Sequence, residues 1–194
     1  MVKLIGKKKI PCAVFISGRG SNLKSIFNYS KKKRSIFHVK LVISNKSKVL
    51  GVRFAKNNKI ETIVVNYKNK KRAEEQILKY LKKNKIKLVC LAGFMKILSK
   101  NFIKYFKNKI INIHPSLLPK YKGLNTHERV INNNETFSGC TVHFVSAKLD
   151  SGKIILQKKV KILKSDNPSR LAKRILLIEN KLYPKAIEKV LSRI

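Results

Sequence analysis

Short apolar runs return along this chain with a longer amphipathic stretch between each pair, and that alternation limits the folds open to it. "CAVFIS" (12–17), "HVKLVIS" (38–44), "ETIVV" (61–65), "KLVCLAG" (87–93) and "KIINIH" (109–114) each read as a buried strand. Between them, helical patterns run from the "GRGSN" turn through Ser30, near 49–57, over 72–83 and near 101–106. Strand, helix, strand repeated in this way predicts a mostly parallel sheet with helices on both faces. After a proline-containing loop and a helix around 125–133, "GCTVHFV" (139–145) reads as an edge-side strand and "GKIILQKKVKI" (152–162) as its hairpin partner. The chain closes on a long helix, with Asp166 or Asn167 placed to cap it and Pro168 near its first turn. The expected fold class is α/β, a single-domain Rossmann-like sheet over residues 1–194 with a basic leader at 1–10.

The net charge of +37 raises nucleic acid or an anionic membrane as a partner. The make-up of that charge argues against both. There are 38 Lys and only 8 Arg, beside 23 Ile and 17 Asn, spread from end to end. Phosphate and base readers favour the bidentate fork of Arg, whereas Lys, Asn and Ile accumulate by compositional drift at solvent-tolerant positions. The lysine clusters 7–9, 31–34 and 68–72 fall in the leader or in connections and read as solvated surface. Acids are sparse, seven Glu and two Asp, so Asp150 and Asp166 stand out as residues with a role. The expectation is small-molecule substrates, no specific nucleic acid and no membrane, in a monomer or homodimer.

Cys12, Cys90 and Cys140 form no CxxC, and each lies in a strand-like run. Dispersed thiols in odd number fit a reducing compartment better than a disulfide framework or a metal site. Lysines interrupt the N-terminal apolar stretch, which suits neither a signal peptide nor a membrane span. A cytoplasmic location is expected, with no metal.

In an open α/β sheet, ligands bind beyond the carboxyl ends of the strands. Three loops there carry candidate chemistry. "SGRGSNL" (17–23) lacks the third glycine of a dinucleotide loop, but the amides of Gly20, Ser21 and Asn22 open a helix and suit a phosphate; the alternative is a tight turn capped by Ser21. "LAGFMKIL" (91–98) turns at Gly93 and offers Phe94, Met95, Ile97 and Leu98 either to a flat heterocycle or to the core. In "INIHPSLLPKYKG", Asn112 and His114 are two apart on a strand and share a face, and Pro115 ends the strand beside them. An amide donor and an imidazole placed so suit a carbonyl oxygen that becomes an oxyanion. Asp150, in the turn of "AKLDSGKII", is either an Asx-turn residue or a carboxylate that favours the imidazolium form of His114 and fixes its orientation.

Taken in order, "SGRGSNL", "LAGFMKIL", "NIHPSLLPKYKGLNTH" and "GCTVHFV" with "LDSGKIILQ" resemble the phosphoribosylglycinamide formyltransferases of purine biosynthesis, over nearly the whole chain from Cys12 to the last helix. The resemblance implies the formyltransferase fold and transfer of a formyl group from 10-formyltetrahydrofolate, the co-substrate, to the amine of 5'-phosphoribosylglycinamide. It implies Asn112, His114 and Asp150 as the catalytic trio, and Gly20, Ser21 and Asn22 as the phosphate loop. It further implies Glu179 as a contact to the glycinamide substrate, and Met95, Lys96, Ile97, Leu98, Asn112 and the surroundings of Asp150 as the folate pocket, with Lys70 or Arg72 at its far end. Lys96 stands where arginine is frequent, Asn125 where histidine is frequent, and Leu176 where some relatives are polar. Two related enzymes share part of the pattern: methionyl-tRNA formyltransferase, with a further domain for tRNA, and formyltetrahydrofolate deformylase, with a regulatory domain. The chain leaves no room for either domain, and a purely nucleic-acid-binding protein would gather Arg or aromatic residues on one face.

Overall fold

The computed structural model describes residues 8–106 and 109–193; the greater part of the expected leader lies outside them. In chain order the first half runs β1 (Ile10–Ile16), α1 (Ser21–Ser30), β2 (Phe37–Ser44), α2 (Leu50–Asn57), β3 (Glu61–Val64), α3 (Lys70–Lys83) and β4 (Leu88–Leu91). The second half runs α4 (Lys100–Tyr105), β5 (Ile110–His114), α5 (Thr126–Asn132), β6 (Phe137–Phe144), β7 (Ile154–Lys161) and α6 (Pro168–Leu191). The strands form one sheet in the order β3-β2-β1-β4-β5-β6-β7. The first five are parallel, and β6 and β7 are added antiparallel, so β7 is the edge and β6 lies one strand in.

Side-chain alternation divides the strands between two cores. Cys12, Val14, Ile16, Val42, Cys90, Ile111 and Ile113 face α1, α2 and α6, which contribute Leu23, Ile26, Val52, Tyr183 and Ile187. Ala13, Phe15, Leu41, Ile43, Val89 and Ile110 face α3 and α4, which contribute Ile77, Leu81 and Phe102. Both faces are covered, as expected of a parallel sheet with near-continuous apolar strands. Cys12, Cys90 and Cys140 are buried free thiols. Asn167 caps α6 through the Arg170 amide at 2.8 Å, whereas Asp166 accepts from the Leu163 amide and pairs with Arg174. None of the described helices is long and apolar enough to cross a membrane.

The winding reverses once. From β1 the chain builds outward through β2 to β3, then returns to lay β4 on the other side of β1. The crevice at the carboxyl ends of β1 and β4 is the switch point at which such folds take ligands. Its two loops are tied together: the Ser17 amide donates to the Gly93 carbonyl at 3.1 Å, and the Met95 amide donates to Ser17 Oγ at 2.8 Å.

Tyr183 bolts α6 to this end of the sheet. It is fully buried, and its hydroxyl reaches the carbonyls of Leu91 at 2.9 Å and Ile111 at 3.1 Å, at the ends of β4 and the body of β5. Tyr183→Phe leaves both carbonyls without that donor, and a buried group so stripped costs about 1–3 kcal/mol. Urea unfolding should show the loss as a lower midpoint at unchanged slope; an unchanged midpoint would remove Tyr183 from this role.

Candidate active site

β5 delivers Asn112 and His114 to one face of the sheet, opposite Ile111 and Ile113, as their spacing requires. Across the antiparallel pairing, Asn112 lies opposite His143 of β6. The Asn112 amide, Nδ2, lies 3.3 Å from His143 Nε2, and His143 Nδ1 lies 2.9 Å from the Phe144 carbonyl. One tautomer satisfies both contacts: Nδ1–H donates to the carbonyl and Nε2 accepts from Asn112. Burial holds His143 below the usual histidine range, outweighing the Phe144 carbonyl and the Asp150 carboxylate, which pull it upward. A neutral His143 therefore fixes which way the Asn112 amide faces, and leaves its second N–H free.

Asp150 comes to this face by an indirect route. The β6–β7 connection leaves β6 beside the amino end of β5, where the Val145 amide donates to the Ile110 carbonyl, and must fold back to reach His114. Gly152 makes the return possible, because a Cβ there would sit 1.7 Å from the Phe144 carbonyl oxygen. Asp150 itself takes the left-handed conformation, φ 45°. Its Oδ2 lies 3.4 Å from His114 Nδ1 and accepts the Gly123 amide at 2.9 Å, and its Oδ1 lies 3.6 Å from His143 Nε2. The side chains of His114 and Asp150 are 7% and 8% exposed, so the carboxylate depends on these partners rather than on water.

The loop after Pro115 closes over the pair. Tyr121, at φ 56°, turns its carbonyl to His114 Nε2 at 2.8 Å, and Glu135 accepts from the Tyr121 hydroxyl at 2.9 Å. Lys122 Nζ reaches Ser151 Oγ at 2.7 Å, joining this loop to the Asp150 turn. His127, at the start of α5, is half-buried beside His114; burial first and then that neighbour lower its pKa.

The glycine loop forms a separate group of residues. Gly20, at φ 73°, is the N-cap residue of α1, and no side chain caps the helix, so the alternative of a turn capped by Ser21 is absent. Without a side chain to occupy it, the first turn keeps its N–H groups for an anion. The Asn22 side chain turns inward and donates from Nδ2 to Glu179 Oε2 at 2.8 Å. Glu179 is 7% exposed, and burial raises its pKa, partly offset by the Asn22 bond. Among the described residues, no hydrogen bond or ion pair joins Asn22 and Glu179 to Asn112, His114 or Asp150.

The residues expected to hold folate divide. Met95, Lys96 and Ile97 stand exposed after Gly93, which suits contact with a ligand. Leu98 does not: it is 5% exposed and packs in the core with Phe94 and Phe102, so its apolarity serves the fold. Lys70 and Arg72 lie exposed in the first turn of α3, where the Arg72 amide is capped by Asn69. Asn125 also sits at a helix start with φ 55°, a conformation Asn tolerates. Sequence reasoning passed over His143, although its place opposite Asn112 was implicit in the strand alternation.

Over residues 10–187 the chain matches the family described as formyl transferase, and it belongs to that family. Relatives of similar length carry the name phosphoribosylglycinamide formyltransferase. That of Haemophilus influenzae is 41% identical over 184 residues, 93% of this chain and 86% of the relative. A crystal structure of the Anaplasma phagocytophilum enzyme of that name superposes with a TM-score of 0.88 at 41% identity, over 93% of this chain and 86% of the other. The trifunctional purine biosynthetic protein adenosine-3 of Bos taurus is 43% identical over 188 residues, 95% of this chain. This chain spans about a fifth, 19%, of that relative's length.

The raised pKa of Glu179 sets a stability prediction. The folded carboxyl binds its proton more tightly than the unfolded one, so its contribution is greatest below the ordinary carboxylate range and is lost as pH rises through the folded value. Glu179→Gln should therefore melt higher than wild type at pH 7–8 and close to it at pH 4, each kcal/mol moving Tm by roughly 2–4 °C. A variant that melts lower at neutral pH would show that the charge is held favourably.

Proposed function

We propose that this chain transfers the formyl group of 10-formyltetrahydrofolate to the amine of 5'-phosphoribosylglycinamide, giving formylglycinamide ribonucleotide and tetrahydrofolate in purine biosynthesis. The reading is carried by one observation: the buried His114 and Asp150 side chains and the half-buried Asn112 cluster at the end of β5, with an open glycine loop at the neighbouring switch point. We take the formyltransferase domain to be the whole of 1–194, acting in the cytoplasm on small molecules, with no metal in the reaction.

The substrate amine is itself the nucleophile, so the protein needs no Ser or Cys for the purpose. As the amine adds to the formyl carbon, the carbonyl oxygen gains charge, and the free N–H of Asn112 Nδ2 is aimed to receive it. His114 supplies positive charge beside it. Its Nδ1 lies 3.4 Å from Asp150, longer than the ~2.7–2.9 Å of a strong charge-assisted bond, so an Nδ1–H held there can be shared with the oxyanion. Catalytic hydrogen bonds are often loose in the free enzyme and tighten around substrate. Asp150 keeps the imidazolium in place and takes part in moving the proton off the attacking amine, through water where the distance requires it. When the tetrahedral carbon collapses, the C–N bond to the folate nitrogen breaks, and that nitrogen takes a proton.

The Gly20, Ser21 and Asn22 amides receive the ribonucleotide phosphate, and Glu179 faces its glycinamide end. Met95, Lys96 and Ile97 receive the folate, and Lys70 or Arg72 its carboxylate tail. The lysine-rich surface draws both anionic substrates inward, an effect that falls with salt.

Purified protein given glycinamide ribonucleotide and a 10-formyl folate should release the tetrahydrofolate-side product, followed spectrophotometrically; no turnover by folded protein would overturn the reading. His114→Ala should reduce kcat by about 10²–10³-fold, the loss of roughly 2.7–4 kcal/mol that follows removal of one oxyanion donor. Asp150→Ala should be comparably impaired, and full activity in either variant would refute its role. His143→Phe, which removes the acceptor that orients Asn112, should lower kcat with little change in either KM.

A further inference from the structure

The glycine loop lacks the third glycine that lets a helix close on its strand, and Leu23 stands in that position. We propose that Gly51, from the first turn of α2, supplies the missing close approach from outside the loop and acts as the positioning residue for the phosphate-binding amides. The inference rests on the phosphate role assigned to that loop under the proposed function.

Three contacts carry it. The Gly51 amide donates to the Gly18 carbonyl at 3.1 Å, so α2, which begins without a side-chain cap, uses the loop as its cap. A Cβ on Gly20 would stand 2.7 Å from Gly51 Cα. A Cβ on Gly51 would stand 2.9 Å from the Gly18 carbonyl oxygen, 3.2 Å from Gly20 Cα and 2.6 Å from Cδ1 of the fully buried Ile16. Two backbone segments thus meet with no side chain between them, and neither accepts a methyl group without shifting.

A glycine inside a helix is a poor helix former, so α2 gains nothing locally from Gly51. What the residue gives is position. The loop is held on one side by Ser17, through Gly93 and Met95, and on the other by Gly51, which leaves Gly18 to Gly20 one arrangement and aims the amides of Ser21 and Asn22. A displacement of a few tenths of an ångström at Gly18 re-aims those amides while leaving Asn112, His114 and Asp150 in place, since among the described residues none of their hydrogen bonds or ion pairs runs to α2.

The test is the steady-state kinetics of Gly51→Ala, Ile16→Val and the double variant, with inorganic phosphate as a competing probe. Gly51→Ala should raise KM for the ribonucleotide and Ki for phosphate at least tenfold, with KM for the folate and kcat within twofold of wild type. Ile16→Val removes the side-chain obstruction and leaves the Gly18 carbonyl in place. It should behave as wild type alone, and the double variant should keep the raised KM; if Gly51→Ala does not fold, the double variant gives the reading. An unchanged ribonucleotide KM, its return to wild type in the double variant, or an equal fall in kcat would overturn the inference. Wild-type protein that does not turn over would instead sink the proposed function, and phosphate binding by calorimetry would then still compare the variants.

Discussion

Reversal of the winding between β1 and β4 is the constraint on which the rest of this molecule depends. The parallel strands β1, β2 and β4 are covered on both faces and leave little room for polar chemistry within the layers. Polar side chains gather instead on β5 and β6, where the sheet turns antiparallel, and at the switch point, where two neighbouring loops diverge instead of crossing one another. Ser17 and Gly93 hold that opening to a defined width through main-chain bonds. The glycine loop, the exposed Met95 to Ile97 segment and the end of β5 are therefore neighbours by topology before any side chain is chosen.

Within that frame Asp150 carries the largest electrostatic burden. A carboxylate removed from water is costly unless hydrogen-bonded and faced by positive charge. Asp150 accepts the Gly123 amide and lies against two imidazoles; His143, kept neutral by burial with Nε2 taking the Asn112 amide, offers it no proton, which leaves His114 as the imidazole that can donate to it. The asymmetry gives the two histidines different work. One meets the carboxylate; the other holds the Asn112 amide.

The architecture was legible because it rests on periodicity: apolar strand runs and amphipathic helices follow from local pattern, and Asn112 and His114 share a face from spacing alone. The hairpin partner of β6 was equally local, as was a cap at Asp166 or Asn167, a choice that the Asn167 bond to the Arg170 amide settles. What escaped local reading depends on contacts distant in sequence. His143 acquires its role only once β6 is registered against β5, and the approach of Asp150 needs the backward fold that Gly152 allows. Leu98 shows the converse. Met95, Lys96 and Ile97 stand exposed while it packs inward beside Phe94, a distinction set by the turn at Gly93 and not by residue type. Gly51 reads as an indifferent helix residue until Gly20 is seen against it.

The same physics explains how a charge of +37 coexists with a buried polar cluster. Lysines stay at the surface, where the long side chain needs only water at its end. The acids behave differently: of nine, Glu74 and Glu179 are buried, and the side chains of Asp150 and Asp166 are 8% and 2% exposed. Each is in use, Glu74 on the Ser99 amide, Asp166 on Leu163 and Arg174, Glu179 on Asn22, and Asp150 on His114 and Gly123. A surface ion pair contributes about 0–1 kcal/mol, so an exterior acid can be lost at little cost. An acid drawn inward is tied to named donors, and stripping a buried donor or acceptor of its partner costs about 1–3 kcal/mol; for Glu179 burial opposes the charge, which is why its pKa is raised. These four inward carboxylates each hold a main-chain or side-chain donor in place, whereas Glu75 and Glu128 stand exposed, so burial and not scarcity marks the acids on which the structure leans.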